Sequence, residues 1–570
     1  MLTQLILIGL GSFEKWVYTG EQESFVGGDL LPPTAHMFPH LQVLIIKECP
    51  KLLGLPFPNH IVSPDWFPKL QELEVTSCPE SSSVILISWI ESLRRVKMEI
   101  NVKLVKEFEY SKSSDGVKLE IIGKADLHSI DQVLVFDKEA GLENLTLDKC
   151  PPLELKHLLM LTSLRTLIVE NSVGLVGPLG GGQSDVEWQL PVEYIKINDL
   201  YGNIGEELTE LLRHLPKLSK LEIWWCKSIK KLVVGVDVQT TQEASEMGGG
   251  EITAAAEEED DGVLLLPDHL CDSLLELWFD ECPELVLVDP PTHVPGGGGW
   301  LQALRSLQRL TIQCSPKFLS AFSFSHHLFP SSLQFLKLWG VKGMGTLEPL
   351  SNLSSLTKLI LFDCGEGLKC QGLWSLISTG GQLNKLEVRG SNSFFADWDP
   401  NPRQSMEDAE GGEEQQTQLV SSTLQELEID GIAGLLAAPV CRFLSSSLTK
   451  LELVGNWCEG MERFSKEQED ALQLLSSLQE LDFSNFEDLQ QLPAGLRNLT
   501  SLKKLSITFC PAVSSLPNDG LPESLQELHV CGNHELEEKC SGLVGTIPNI
   551  NRSVIQGECL GVPLYILLAL

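Results

Sequence analysis

The sequence predicts an α/β repeat solenoid, in which short parallel strands stack into one sheet and irregular or short helical segments return over the other side. Two observations predict this fold. One pattern of apolar residues, which we call the template, recurs along the chain. Its copies begin mostly 22 to 33 residues apart. A repeat of this length supplies one strand, and each unit buries its apolar residues only by stacking on its neighbours.

The clearest copy of the template runs from Leu502 to Pro517. Leu502, Leu505 and Ile507 lie at positions 0, +3 and +5, and Cys510 follows at +8. The alternation predicts a short strand at 505–507 with every second side chain in a core. Position +8 is where the chain leaves the strand. Repeats of this kind usually place Asn there, because an amide satisfies backbone groups in the bend, whereas a thiol hydrogen-bonds weakly.

The template recurs with Cys, with Asn or in looser form. Copies with Cys at +8 begin at Leu41, Leu70, Leu142, Leu218, Leu274 and Leu356. Copies with Asn run from Leu164 to Asn171 (one residue short), Leu448 to Asn456 and Leu525 to Asn533. Looser copies begin at Leu2, Leu93, Val192, Leu307, Leu333, Leu383, Leu424 and Leu478. About 18 matches to L-x-x-L-x-L-x-x-N/C are the signature of a leucine-rich repeat horseshoe, with its parallel β-sheet on the concave face.

The quality of the matches divides the chain. We expect leucine-rich repeats over 1–100 (N-terminal), 141–232, 263–396 and 419–540 (C-terminal). Residues 101–140 are expected to form degenerate repeats, with strands at 117–122 and 132–136. An acidic disordered insertion is expected at 233–262, an acidic loop insertion at 397–418, and a cap or tail at 541–570. The acidic insertions, and a further one at 296–299, contain too few apolar residues to order themselves. The array begins directly on a repeat, which suggests that the chain is part of a longer protein.

Charge and cysteine content limit the function. The net charge of −36 repels phosphate backbones and anionic membrane surfaces, so nucleic-acid binding is not expected. Seven of the 15 cysteines share position +8, which calls for a small buried group rather than a disulfide. These features predict reduced thiols and a cytoplasmic protein. The apolar C-terminal stretch 562–570 is too short to span a bilayer.

The sequence contains no motif that predicts catalysis or cofactor binding. A phosphate-binding loop, a Gly-x-Ser-x-Gly elbow, a His-Glu-x-x-His helix and a Cys-x-x-Cys pair are all missing from the 570 residues. The sequence therefore predicts neither an enzyme nor a metal site. Binding to other proteins is the function that it predicts.

Template positions +2, +4 and +6 are expected to face the concave surface. In the middle of the array they form an aromatic and basic set that suits a protein interface. Its members are Trp224, Trp278, Trp339, Phe362, Lys337, Lys358, Lys385 and Arg389. The alternative is that the aromatic rings stack only on neighbouring strands and lysine stems. Further on, the face turns acidic, which suits a basic partner; the acidic residues are Glu426, Glu428, Asp430, Glu480 and Asp482.

Several strands end in Cys-Pro, as in 49–56, 70–79, 282–285 and 510–517, and the segment 218–226 is similar. These segments resemble the C-terminal repeats of plant intracellular immune receptors, the coiled-coil class of nucleotide-binding leucine-rich repeat (NLR) proteins. The resemblance implies recognition of a pathogen effector or a guarded host protein, and restraint of a nucleotide-binding switch. The motifs of that switch do not occur here, so nucleotide binding cannot be assigned to these residues.

Two other functions remain open from the sequence. An extracellular receptor ectodomain is suggested by Gly545-Thr-Ile-Pro548 and by Asn-x-Ser/Thr sites at Asn144, Asn352 and Asn498, but a signal peptide and capping cysteines are missing. A substrate adaptor for ubiquitin ligation would need a helical N-terminal segment that the sequence does not predict.

Overall fold

The chain forms two compact units, Met1–Leu285 and Val286–Leu570. A computed structural model describes residues 2–15, 38–53, 67–78, 93–99, 105–114, 116–132, 141–177, 188–236, 262–288, 300–321, 328–378, 380–400, 422–455, 460–540 and 547–553. The insertions predicted at 233–262 and 397–418 lie mostly outside these residues, and the one at 296–299 lies wholly outside. Residues 233–236 belong to a strand rather than to an insertion.

The first unit contains short strands and few helices. Its strands are β1 Gln4–Ile8, β2 Val43–Lys47, β3 Glu72–Thr76, β4 Arg95–Glu99, β5 Val105–Ser113, β6 Gly116–Gly123, β7 Asn144–Asp148, β8 Thr166–Glu170, β9 Tyr194–Asn198, β10 Lys220–Trp224, β11 Lys231–Val236, β12 Val263–Pro267 and β13 Glu276–Asp280. Its helices are α1 Leu155–Met160 and α2 Ile204–Leu212, with 3-10 turns at Ile130–Gln132 and Asp268–Cys271.

The second unit repeats the pattern. Its strands are β14 Val286–Leu287, β15 Arg309–Gln313, β16 Phe335–Trp339, β17 Lys358–Phe362, β18 Lys385–Arg389, β19 Glu426–Ile429, β20 Lys450–Val454, β21 Glu480–Ser484, β22 Lys504–Thr508, β23 Glu527–Cys531 and β24 Asn549–Ser553. Its helices are α3 Leu373–Ile377, α4 Ile432–Leu435, α5 Ala438–Leu444, α6 Lys466–Leu472 and α7 His534–Cys540, with 3-10 turns at Trp300–Ala303, Glu348–Leu350 and Ala494–Asn498.

Each unit is built on one large sheet of stacked repeat strands. In the first unit, β1 to β4 pair in parallel, and β6 to β10 and then β13 do the same. In the second unit, β15 to β24 pair in parallel in chain order. Corresponding template positions face each other across the template strands of these pairs, as in β10–β13 and β16–β17. The predicted α/β leucine-rich repeat fold, with one parallel strand per repeat, is confirmed.

One strand breaks the parallel order. β5 is antiparallel to both β4 and β6, so the expectation that every strand is parallel is wrong here. The reason is the short connection after Ser113, which reverses the chain and ends at Gly116 with a φ of 102°. The strand predicted at 117–122 lies within β6. Gln132 ends a 3-10 turn instead of starting a strand, and residues 133–136 lie outside the described part of the chain.

The template leucines form the core of each unit. Leu502, Leu505, Ile507 and Cys510 are all buried, as their spacing predicts. Fully burying an aliphatic side chain contributes roughly 1.5–3 kcal/mol relative to leaving it exposed. Since every repeat supplies several such residues, the stacking of repeats accounts for most of the stabilisation.

In several repeats the side chain at position +8 hydrogen-bonds to the preceding repeat, whereas in others the position is apolar, as at Val341 and Phe486. The Cys364 thiol donates to the Leu338 carbonyl at 3.4 Å, and the Cys510 thiol donates to the Phe483 carbonyl at 3.5 Å. Asn533 does more, because its amide donates to two carbonyls of the preceding repeat and accepts the Leu536 N–H. The expected difference between amide and thiol at this position is therefore present.

The copy that begins at Leu164 is one residue short at Asn171, and the structure shows which residue takes its position +8. Ser172 occupies that position, accepting the Cys150 N–H at 3.1 Å and donating to the Glu170 carbonyl at 2.8 Å. Asn171 lies one residue earlier, at +7, with a φ of 49°. Asn456, the other Asn copy, lies outside the described residues.

Position +7 is left-handed in most of the described repeats, although Gly431, at +7 of the copy that begins at Leu424, has a φ of −78°. Eleven residues other than glycine adopt φ between 46° and 57° there: Glu48, Ser77, Lys149, Asn171, Asp199, Trp225, Glu281, Cys314, Asp363, Asn485 and Phe509. Gly9, Gly340, Gly390 and Gly532 take the same position with φ of 66–75°. The left-handed residue turns the chain out of the strand. In this conformation the Cβ atom is crowded by the backbone, which costs free energy at every residue except glycine.

Candidate protein-interaction surface

The first, third and fifth residues of the five-residue strands form the face of each sheet that points away from the core. These are template positions +2, +4 and +6, and we call them the open face. In β13 and β16 they are half-buried, while the residues between them are fully buried. The alternation follows from the pleat. In-register pairing arranges the open face in rows that run across each sheet.

In the first unit, Trp224 and Trp278 lie on the neighbouring strands β10 and β13, with ring centroids 5.0 Å apart. The Lys196 ammonium lies 4.6 Å from the Trp224 ring centroid, a distance at which a cation–π contact is favourable. The Nε1 atoms of both tryptophans are buried, and neither has a hydrogen-bond partner within the described residues. Ring packing, rather than polar contacts of the indole N–H groups, therefore positions this pair.

In the second unit, aromatic and basic side chains alternate across three strands. Trp339 and Phe362 meet edge to face, with ring centroids 6.2 Å apart. The Lys337 ammonium lies 5.4 Å from the Trp339 ring, and the Arg389 guanidinium carbon lies 5.2 Å from the Phe362 ring. We call the following side chains the aromatic–basic cluster: Phe335, Lys337, Trp339, Lys358, Phe362 and Arg389. Its rings and cations hold each other in place before any partner binds.

Two lysines at the first strand position converge on one carboxylate. Lys358 and Lys385 lie 3.0 Å and 3.3 Å from a Glu387 oxygen, and Lys385 also lies 3.0 Å from Glu426. Burial lowers the pKa of Lys385, but Glu426 and Glu387 more than offset this, so its pKa lies above its usual value. Lys385 therefore remains charged, and the ion pairs hold both lysine side chains at the first strand position.

The eight predicted site residues fall into two separate groups. Trp224 and Trp278 belong to the first unit, and the other six belong to the second: Lys337, Trp339, Lys358, Phe362, Lys385 and Arg389. Each of the four aromatic rings is half-buried against a ring or cation of a neighbouring strand, so part of each ring stays accessible on the open face. Their role as a partner site stays a prediction.

The open face of the second unit also carries a row of carboxylates on four successive strands, β18 to β21. We call this set, consisting of Glu387, Glu428, Glu452 and Asp482, the acidic row. Burial raises the pKa of Glu428 to about 7; Arg389 opposes this effect, and the Glu452 and Glu387 carboxylates add to it. Burial and neighbouring Asp482 raise the pKa of Glu452, and burial raises that of Asp482.

Sequence reasoning identified part of this acidic row and misplaced one residue. Glu452 was missed, although its position at +4 of the copy that begins at Leu448 could have revealed it. Asp430 was expected on the open face, but it is buried, and its carboxylate accepts the Gly390 N–H at 2.5 Å. β19 ends at Ile429, so Asp430 leaves the pleat and turns towards the preceding repeat.

One group of side chains within the described residues has the composition of a metal site. Asp131, Glu154 and His157 bring their ligand atoms within 4.8 Å of one another. However, His157 Nδ1 accepts the Glu154 N–H at 3.1 Å, so the ring proton lies on Nε2, which faces Asp131 at 2.9 Å. Lys156 contacts both carboxylates. The group therefore caps helix α1 and offers no free ring nitrogen to a metal.

No helix in the described part of the chain is both long enough and apolar enough to cross a bilayer.

Comparisons with known proteins return solved structures only. No protein-family model matches the chain, and no curated protein matches it. A TLR13 chain from its complex with ssRNA13 has a TM-score of 0.41 at 14% identity, covering 92% of this chain and 63% of that one. A leucine-rich repeat protein of Leptospira interrogans has a TM-score of 0.34 at 14% identity, covering 85% and 90%. An internalin of Listeria monocytogenes has 0.30 at 15% identity, covering 77% and 87%.

This chain spans less than two thirds of the TLR13 chain. The repeat template and the parallel strand pairing identify the leucine-rich repeat fold of this chain. The chain is a scaffold of stacked repeats, and the sheet of each unit has a large open face.

Proposed function

We propose that this chain is a non-catalytic protein-recognition scaffold that binds its partner on the open face. The observation that carries this function is the aromatic–basic cluster of the second unit. Trp, Tyr and Arg dominate the binding energy of protein interfaces. In this cluster, Trp339, Phe362 and Arg389 are already fixed by mutual contacts. Fixed side chains lose little conformational entropy when a partner binds, so more of the contact energy contributes to affinity.

We propose further that the scaffold is the recognition part of a plant intracellular immune receptor. In this role it would sense a pathogen effector or a guarded host protein and would restrain a nucleotide-binding domain. Support comes from the Cys-Pro strand endings and from the structural use of Cys at position +8. The Cys364 thiol is buried, and this burial raises its pKa to about 12. A protonated thiol that donates to the preceding repeat suits a reducing compartment, so we place the protein in the cytoplasm.

The test uses the full chain as bait in a plant leaf extract, followed by mass spectrometry and reconstitution with the purified candidate. Trp339→Ala and Trp278→Ala remove one ring from each group on the open face. Trp225→Ala is the matched control, because Trp225 is 49% exposed and lies at the left-handed position outside the open face. We expect a loss of affinity of at least tenfold for Trp339→Ala, a measurable loss for Trp278→Ala and none for the control.

Equal affinity of all three variants and the parent chain would contradict the location of the site on the open face. A reconstituted partner that is a secreted extracellular protein would contradict the intracellular role while leaving the scaffold function intact. Circular dichroism of each variant shows whether the fold is retained.

A further inference from the structure

The open face of the second unit carries its positive and negative charges on different strands. On β15, β16 and β17 it presents Arg309, Lys337 and Lys358 and no carboxylate. On β19, β20 and β21 it presents five carboxylates and a single lysine, which are Glu426, Glu428, Glu452, Glu480, Asp482 and Lys450. The strands pair in chain order, so the two sets stay apart. We call the first three strands the basic end and the other three the acidic end.

The basic end is a local exception in an acidic chain. The chain has 42 lysines and arginines against 78 aspartates and glutamates, and a net charge of −36. At the basic end the cations lie over an aromatic ring. The Arg309 guanidinium carbon is 4.4 Å from the Phe335 ring centroid, and the Lys358 ammonium is 5.8 Å from the same centroid. These contacts hold the cations on the face, where they attract the carboxylates of a partner.

The charges are balanced where the two ends meet but not farther along the acidic end. Beside β18, Lys385 contacts Glu426, and Arg389 contacts Glu428 and Glu452. On β21, neither Glu480 nor Asp482 forms an ion pair with another described residue. The excess negative charge of the acidic end is therefore left for a partner to complement.

We propose that the protein partner docks along the open face of the second unit in one orientation, with an acidic patch over the basic end and a basic patch over the acidic end. This inference rests on the proposed function and adds the charge pattern of the partner and the direction of docking. The central strands of the two ends, β16 and β20, are four strand spacings apart, which is roughly 19 Å. The reverse orientation would bring like charges together, so the charge pattern selects one of the two.

The experiment measures the binding of two synthetic peptides of identical composition to the full chain. In the block peptide, a twelve-residue Gly/Ser linker joins four aspartates to four arginines, and the mean span of this linker is also roughly 19 Å. In the mixed peptide, aspartate and arginine alternate along the chain. By fluorescence anisotropy in 0.05 M NaCl, where surface charges are weakly screened, we expect the block peptide to bind at least about fivefold more tightly, because both of its ends engage at once.

Charge reversal tests each end separately. Arg309→Glu with Lys337→Glu reverses the basic end, and Glu426→Lys with Glu480→Lys reverses the acidic end. Each pair should weaken binding of the block peptide at least about fivefold. The four changes together preserve the net charge of the chain, and they should restore the affinity because the peptide can bind the other way round.

The matched control for the acidic end is Glu366→Lys with Glu523→Lys. Both glutamates are exposed and lie outside the open face of the second unit. This pair changes the net charge by the same amount as reversal of the acidic end, and we expect it to leave the affinity for the block peptide within about twofold of the parent value.

A benzophenone group beside the aspartate block reports the orientation. In the parent chain it should crosslink to the basic end, and in the fourfold variant to the acidic end, as located by mass spectrometry. Three outcomes, in variants that circular dichroism shows to be folded, would each overturn the inference: equal affinity for the two peptides, an equal loss in the control pair, or a crosslink of the aspartate block to the acidic end of the parent chain. If Trp339→Ala still weakens binding of the reconstituted partner, the proposed function survives such an outcome and only the direction of docking fails.

Discussion

The Arg389 guanidinium lies 3.7 Å from the Glu452 carboxylate, although β19 separates their strands, β18 and β20. It also contacts Glu428 on β19, and Arg389 Nε donates to that carboxylate at 2.5 Å. One cation is therefore shared by two successive members of the acidic row. Adjacent strands lie about 4.8 Å apart, so the carboxylates would otherwise face each other with only peripheral lysines to offset their charge.

Removing this cation should destabilise the second unit. We expect Arg389→Gln to lower the free energy of unfolding by about 2–4 kcal/mol at pH 7.5, because two largely buried carboxylates lose their shared partner. At pH 5 the loss should be smaller, since protonation of Glu428 removes part of the repulsion. Urea denaturation at both pH values measures the effect. Arg497→Gln, an exposed arginine, is the control and should change stability by less than about 0.5 kcal/mol.

The acidic row should also make stability fall as pH rises. The pKa of Glu428 is raised to about 7, so the folded state binds more protons than the unfolded state above the ordinary glutamate pKa. By proton linkage, the free energy of unfolding then decreases with pH from about 4.5 to about 7, within the range where this group titrates. Asp482 and Glu452, whose pKa values are raised as well, act in the same direction.

We expect a higher thermal midpoint at pH 5.5 than at pH 7.5, and Glu428→Gln should reduce this difference by raising the midpoint at pH 7.5. A midpoint that increases from pH 5.5 to pH 7.5 in the parent chain, or an unchanged difference in Glu428→Gln, would contradict the protonation of this row. Calorimetry at matched ionic strength measures both.

An amide at position +8 should stabilise the fold more than a thiol at the same position does. Asn533→Ala leaves the Val513 carbonyl and the Leu536 N–H without this partner in a buried site, while the Cys510 carbonyl keeps the Val513 N–H. Each unsatisfied buried group costs about 1–3 kcal/mol, so we expect a loss of at least about 2 kcal/mol. Cys510→Ala removes only a weak donor and a small volume, with an expected loss of about 1 kcal/mol. Equal losses in denaturant titrations would refute the difference.

The left-handed position +7 should tolerate glycine better than a strand does. Lys149 is exposed and has a φ of 53°, whereas Lys118 is exposed within β6. Lys149→Gly relieves the left-handed strain, which costs a residue with a Cβ roughly 1 kcal/mol, and we expect unchanged or higher stability. Lys118→Gly should lower stability by up to about 1 kcal/mol. The thermal midpoints of the two variants test this prediction. A lower midpoint for Lys149→Gly than for Lys118→Gly would rule out strain at position +7.

Sequence pattern predicted the fold well because the buried positions of a repeat are few and regularly spaced. Leu502, Leu505 and Ile507 are typical, and the strand pairing brings such residues together in every parallel repeat. The reversed strand β5 could not be found in this way. The residue types of β5 do not show the direction of the strand, which only the short turn before Gly116 sets.

The candidate surface was predicted less completely. Template spacing places Trp339 and Glu452 on the same face, but it does not show how far each side chain is covered by its neighbours. Burial depends on contacts between repeats, such as that between Trp339 and Phe362. Asp430 shows the same limit, because the end of β19 one residue earlier turns its carboxylate inward.

The reversed strand β5 has a consequence for how the chain begins to fold. Neighbouring parallel strands of the large sheets are joined by connections of at least 17 residues. Each pairing must therefore close a long loop before it gains any contact. β5 and β6 are joined by only two residues, Ser114 and Asp115, and their ladder extends over eight paired positions. Hairpins of this kind form in about 1–10 μs. The β5–β6 segment can therefore serve as the first ordered template, onto which β4 and β7 then add from opposite sides.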